Sequence, residues 1–285
     1  MKKNTKIGLS IFTGFTAATA ITLNRLYMKV RYPHKVAKEL LHFSQIAKGN
    51  TDNVHLTAHR GLSAIAPENT LYSFEAAAKE GFYALECDVH FTTDGRWVII
   101  HDYNMQTMTD RRGDVKDFSW EELKTIKFTN GANIEKYPDA RMCTVEEYLD
   151  ICQKYDKIPM IEVKDKRIDK VPDLYRIICE YGIEDKVILI SFHPQILEEF
   201  QKLSPNMTLW YLMGKITKGK LDESIEHGFG VAFNAKRNIK NTEMIQKIHN
   251  NNLTAACWTV DTEEMLNAML AQGVKYITTN AILPD

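Results

Sequence analysis

At 285 residues and 44% hydrophobic composition, the chain holds enough apolar material for one large domain of barrel size. Its net charge of −1 is unevenly spread: residues 1–31 contain six Lys and Arg and no acid, leaving 30 basic against 37 acidic residues in the remainder. That acidic body excludes a nucleic-acid binder working through a basic footprint. The five cysteines, without CxxC or zinc spacing, read as free, mostly buried thiols.

The first element is the uncharged run 7–24, "IGLSIFTGFTAATAITLN", between Lys6 and Arg25. About 20 apolar residues span a bilayer, so this Thr-rich run is expected to anchor the chain in a membrane. Ala18-Thr19-Ala20 also fits a signal cleavage site, in which case the body is secreted. Either way the body is expected outside the cytoplasm, although cations at both ends of the run leave its orientation unset. Residues 1–31 are assigned to this segment, 32–53 to a linker helix built on "HKVAKELLHFSQIAKG", and 54–285 to the globular body.

Short apolar runs then alternate with amphipathic stretches. Strands are expected at 54–59, 83–89, 158–163, 186–191, 207–212, 229–234, 253–258 and 274–279. Helical patterns such as "NTLYSFEAAAKEG" and "TEEMLNAMLAQG" separate them, the latter opening at Thr262 and ending at Gly273. Eight strands alternating with helices predict an α/β fold, a (β/α)₈ TIM barrel. Residues 91–143 depart from the alternation. A turn at Asp94-Gly95 leads into a further strand, and a short helix follows at "SWEELKTIK". This excursion is expected to form a short cap insertion after the second strand.

Barrel enzymes carry their chemistry at the C-terminal strand ends. Here those ends hold His59 and Arg60, then Glu86 and Asp88, then Glu162 and Lys164, with Trp258 on the seventh strand. Side chains alternate faces along a strand, so Glu86 and Asp88 share one face while Cys87 takes the other. Clustered carboxylates repel unless a cation lies between them or one is protonated. Two readings fit: a hard-ligand site for Mg²⁺ or Ca²⁺, or an ion-pair network with Lys164 and Arg60. His59 and His101 both end apolar runs, and imidazole is the natural acid or base near neutral pH. Asp102 follows His101 and is placed to orient its ring. Arg60 offers a planar fork for phosphate oxygens, and Lys164 a point charge.

Taken in order, "AHRG", "PENT", "ECD", "HD" and "IEVK", then "ISF" at 190–192, "WTVD" at 258–261 and "GVKYITTN", resemble the glycerophosphodiester phosphodiesterase family over about residues 54–284. The resemblance implies a TIM barrel that splits glycerophosphodiesters into sn-glycerol 3-phosphate and an alcohol with a divalent cation. It implies Glu86, Asp88 and Glu162 as metal ligands and His59 and His101 as the acid/base pair. Arg60 and Lys164 would bind phosphate, Glu68 and Asn69 would line the site, and Trp258 would pack against the substrate. Gly61 would let the chain turn after Arg60, and "PENT" would start the next helix with Asn69 as a cap. Thr279-Asn280 departs from the Thr-Asp common in the family, and "MTDRRGDV" departs from its usual sequence after "HD". Two other readings remain: a lysophospholipase D-like enzyme acting on membrane lysophospholipids, and a non-catalytic barrel that binds phosphodiesters. No protein partner is indicated.

Overall fold

The computed structural model describes residues 38–285. The run 7–24, and with it the expected anchor, lies outside the described residues. Among the described residues no helix is long and apolar enough to cross a membrane.

Eight parallel strands form the centre: β1 His55–Ala58, β2 Ala84–Phe91, β3 Ile158–Val163, β4 Ile188–Ser191, β5 Thr208–Met213, β6 Gly230–Asn234, β7 Ala255–Trp258 and β8 Tyr276–Thr279. Each starts within two residues of its expected position. β1 pairs with β8 on one side and with β2 on the other, so the ring closes as a barrel with no free edge. The strands read as nearly continuous apolar runs because both faces of a parallel sheet are covered; β2 is buried along its whole length.

Helices α1 Leu71–Lys79, α2 Val145–Lys154, α3 Val171–Glu180, α4 Pro194–Leu203, α5 Lys218–His227, α6 Thr242–Asn250 and α7 Glu263–Leu270 pack around the ring. Each turns a buried stripe inward; α3, for example, buries Val171, Leu174, Ile177 and Ile178. Inside the ring, Ala84, Met160, Ile188, Ile190, Trp210, Leu212, Ala232 and Ala256 form a second apolar layer. At the N-terminal end of the strands His55 lies 4.2 Å from Tyr83 and 4.8 Å from Tyr276, ring centre to ring centre, and Trp210 lies 5.1 Å from Tyr276. This aromatic floor closes one end of the barrel. Trp210 lies so close against Gly230 that a Cβ there would overlap the indole.

The insertion begins as expected. After the turn at Gly95, the strand Trp97–Ile99 pairs antiparallel with β2, and Ser119 caps the one-turn helix Trp120–Leu123. It has a small core of its own around Val98, Met105, Met108, Leu123 and Phe128. Asn133 Nδ2 donates to the Ile65 carbonyl (2.9 Å) and Tyr103 Oη to that of Lys164 (2.6 Å). The insertion therefore borders the barrel mouth at the loops after β1 and β3.

The linker helix expected over 32–53 is corrected in its described part. Leu41–His42 is extended and pairs parallel with Ile282–Leu283, and only the single turn Phe43–Ile46 is helical. Pairing with the end of the chain satisfies this backbone, including Leu41 N to the Ala281 carbonyl at 2.9 Å. Lys38 N also donates to the Ala64 carbonyl (3.0 Å). All five cysteines are free, four of them buried and Cys179 exposed.

Candidate active site

The loop after β1 explains its own sequence. Arg60 takes φ +58° and Gly61 φ +72°, which turns the chain sharply at the strand end. A Cβ on Gly61 would overlap the Ser73 carbonyl. Ser73 Oγ donates to the Arg60 carbonyl (2.9 Å), and Asn69 N donates to the same oxygen (3.0 Å). The "PENT" run is thereby stapled back onto Arg60. Thr70, rather than Asn69, caps α1, through a reciprocal capping box with Ser73. Asn69 has φ +57°, outside the extended backbone a cap adopts, and its amide serves Asp88 instead.

Glu86 and Asp88 point into the mouth from β2. The β2–β3 register sets Asp88 directly beside Glu162. Among the described residues, ligand atoms of Glu86, Asp88 and Glu162 lie within 4.8 Å of one another, and all three side chains are buried. Two cations stand among them. Arg60 Nη1 pairs with Glu68 (2.9 Å) and its Nε with Asp88 Oδ2 (3.1 Å). Lys164 Nζ lies 2.9 Å from Glu162 Oε1 and 3.4 Å from Asp88 Oδ1. Asn69 Nδ2 donates to Asp88 Oδ2 (2.8 Å), and Arg60 N donates to Glu86 Oε2 (2.9 Å). Glu68 and Asn69 thus hold Arg60 and Asp88, one step behind the cavity surface.

The electrostatics are unbalanced. Burial and then Asp88 push Glu86 well above the usual carboxyl range, and the same two causes raise Glu162 to about 7. Against the burial that opposes it, Arg60 and Lys164 hold Asp88 well below that range. Three acids share two cations, and Asp88 Oδ1 is buried without a hydrogen bond. An all-oxygen donor set with more carboxylates than cations around it, and a buried oxygen that accepts no hydrogen bond, fits a hard divalent ion.

His59 and His101 line the same cavity of ≈ 210 Å³, with Arg60, Glu86, Glu162 and Lys164. The opposite wall is apolar: Met160, Ile190, Phe192, Leu212, Ala232, Ala256 and Trp258. Trp258 Nε1 donates to the Ala232 carbonyl (3.3 Å), leaving the ring as a wall beside Phe192. His101 Nδ1 lies 2.6 Å from Asp102 Oδ1, and His90 Nε2 donates to the His101 carbonyl (3.2 Å). His59 Nδ1 lies 2.8 Å from Asn280 Oδ1. Burial, followed by the neighbouring Arg60, draws His59 down to about 3, so its ring is neutral at neutral pH.

Seven of the ten residues singled out in the sequence line one cavity, and Asp88, Glu68 and Asn69 stand directly behind them. The apolar wall was missed, although its signal was present: Met160 lies two positions before Glu162, and Ala256 two before Trp258, on the same strand faces.

The profile of the Glycerophosphoryl diester phosphodiesterase family matches residues 59–283. A glycerophosphodiester phosphodiesterase of Caldanaerobacter subterraneus subsp. tengcongensis is 32% identical over 237 residues, which cover 78% of this chain and 92% of that one. The crystal structure of a glycerophosphodiester phosphodiesterase from Parabacteroides distasonis superposes with a TM-score of 0.70 at 26% identity, over 81% of this chain and 94% of that one. A phosphodiesterase of Oleispira antarctica, solved in complex with the product sn-glycerol-3-phosphate, shares the fold at TM-score 0.73 and 21% identity, over 87% of this chain and 96% of that one. With the match spanning both histidines, all three clustered acids and the last seven barrel strands, the chain belongs to the glycerophosphoryl diester phosphodiesterase family and is a phosphodiesterase of that kind.

Proposed function

We propose that this chain hydrolyses glycerophosphodiesters to sn-glycerol 3-phosphate and an alcohol, using His59 and His101 as its acid/base pair. The observation that carries the reading is the convergence of both imidazoles, Glu86 and Glu162 on one cavity, with Asp88 clustered against the two acids. Glu86, Asp88 and Glu162 would hold a divalent cation, Mg²⁺ or Ca²⁺. When bound, such an ion supplies Lewis-acid neutralisation of phosphoryl oxygen.

The chain's own groups divide the remaining work. Arg60 and Lys164 attract the phosphodiester anion and orient it. His59, neutral and backed by an amide oxygen, takes the proton of the attacking oxygen. His101, backed by the Asp102 carboxylate, returns a proton to the leaving alkoxide. Trp258 and Phe192 give the substrate's carbon side an apolar surface and keep water off it. Attachment to a membrane through residues 7–24 stays a separate proposal, tested by fractionating cells that express the full chain.

The deciding experiment measures release from glycerophosphocholine by the purified full chain after EDTA treatment, then with Mg²⁺ or Ca²⁺ restored. Activity should disappear and return. His59→Ala and His101→Ala should each lower turnover by about 10²–10⁴-fold with folding intact. Near-native rates in both variants would refute the acid/base assignment. Choline released from lysophosphatidylcholine but not from glycerophosphocholine would replace the substrate class.

A further inference from the structure

The "WTVD" run ends in Asp261, a residue to which the reaction scheme gives no part. Asp261 lies on the loop after β7 and meets the residue where this chain departs from its family's usual pattern, Asn280. Asn280 N donates to Asp261 Oδ1 (2.8 Å) and Asn280 Nδ2 to Asp261 Oδ2 (2.7 Å). Thr279 Oγ1 adds a donor to Oδ1 (3.3 Å), and Lys38 Nζ pairs with Oδ2. Asn280 Oδ1, on the other side of the amide, is met by His59 Nδ1 and Ser63 Oγ, each at 2.8 Å.

We propose that Asp261 and Asn280 are positioning residues that set the tautomer of His59. The argument follows the protons. An ionised carboxylate only accepts, so the amide edge facing Asp261 must be the NH₂ group. Asp261 is kept ionised, against its partial burial, by Lys38 and by the two Asn280 donors. The side-chain oxygen of Asn280 is then the edge that faces His59, and an amide oxygen also only accepts. His59 must therefore carry its proton on Nδ1. A neutral imidazole has a single N–H, so Nε2 keeps a free lone pair. His59 lines the cavity, and Nδ1 is turned away to Asn280, which leaves Nε2 as the nitrogen offered to the substrate. Ser63 completes the acceptor's second lone pair, so no rival donor can rotate in.

The arrangement does for His59 what Asp102 does for His101, with one chemical difference. Asp102 is a carboxylate one residue away, whereas His59 is oriented by a neutral amide that is itself oriented by a carboxylate. Charge is thus held one side chain further from the ring that takes the proton, and that ring stays neutral.

The inference rests on His59 acting as the base, and its test separates the two claims. Full-chain protein labelled with ¹⁵N-histidine reports the tautomer directly, with the His59 signals identified by their loss in His59→Asn. Wild type should show Nδ1–H at His59, and Asn280→Ala and Asp261→Ala should move it to Nε2–H or a mixture. In both variants kcat should fall by about 10–100-fold with KM within about threefold, since misoriented imidazole costs turnover rather than binding. The double variant Asp261→Asn/Asn280→Asp exchanges carboxylate and amide but again presents an acceptor to Nδ1. It should recover to within about tenfold of wild type, a coupling that independent structural losses would not show. An unmoved Nδ1–H tautomer in both alanine variants would overturn the positioning role, even with His59→Asn inactive. Undiminished turnover in His59→Asn would instead remove the base assignment beneath it.

Discussion

Asp102 accepts a 2.6 Å hydrogen bond from His101 Nδ1, and that bond, more than any other influence, lowers its pKa to about 2. An acid depressed in the folded state contributes stability that is full above its unfolded value, about 3.9, and is lost as pH falls through the folded one. Urea midpoints of the wild type should therefore drop between pH ~4 and ~2, and Asp102→Asn should lack that part of the drop. Parallel curves for the two proteins would show that the bond contributes nothing to folding. This pair was legible because its members are neighbours in sequence. The partner of His59 was not, because Asn280 lies 221 positions away and reaches it only through closure of β1 on β8.

Among elements, the strands were the most legible, because each is a short, nearly continuous apolar run with its polar residues at the end, and side chains along it alternate with period 2. The same period put Glu86 and Asp88 on one face. It could not reveal that Asp88 stands beside Glu162, since register between β2 and β3 is set by the whole ring. The stretch before β1 misled for a related reason. Its helical pattern loses to pairing between Leu41–His42 and Ile282–Leu283, and no local signal announces a partner at the far end of the chain. The β1–α1 loop makes a measurable case of its own. Gly61 combines a left-handed φ with contact against the Ser73 backbone, whereas Gly182 has φ +62° and open space around it. Gly61→Ala should cost about 2–4 kcal/mol in urea unfolding and lower kcat/KM, while Gly182→Ala should cost about 1 kcal/mol and leave activity alone. Equal losses would mean that backbone angle alone, rather than the fit of this loop, sets the cost.

At the scale of the molecule, eight alternations of strand and helix identified the barrel, while the shape of its cavity depended on details no pattern carries. Ala232 and Ala256 leave room where larger side chains would fill the ring, and the Trp210 indole takes the space a Cβ at Gly230 would need. The closed wall also governs the thiols. Cys87, Cys143, Cys152 and Cys257 are sealed within the body, and Cys179 is at the surface. Ellman's reagent should find one fast thiol per native chain, with four more appearing only on unfolding; several fast thiols would mean a looser packing than the barrel implies. The first described residues tie two rim loops together. Lys38 is bonded to the loop after β1 and paired with Asp261 in the loop after β7. By bonding to both loops at the rim where the strands end, Lys38 straps the turn that carries Arg60 to the segment that carries Asp261, so loss of its side chain should loosen the β7 side of the doorway first.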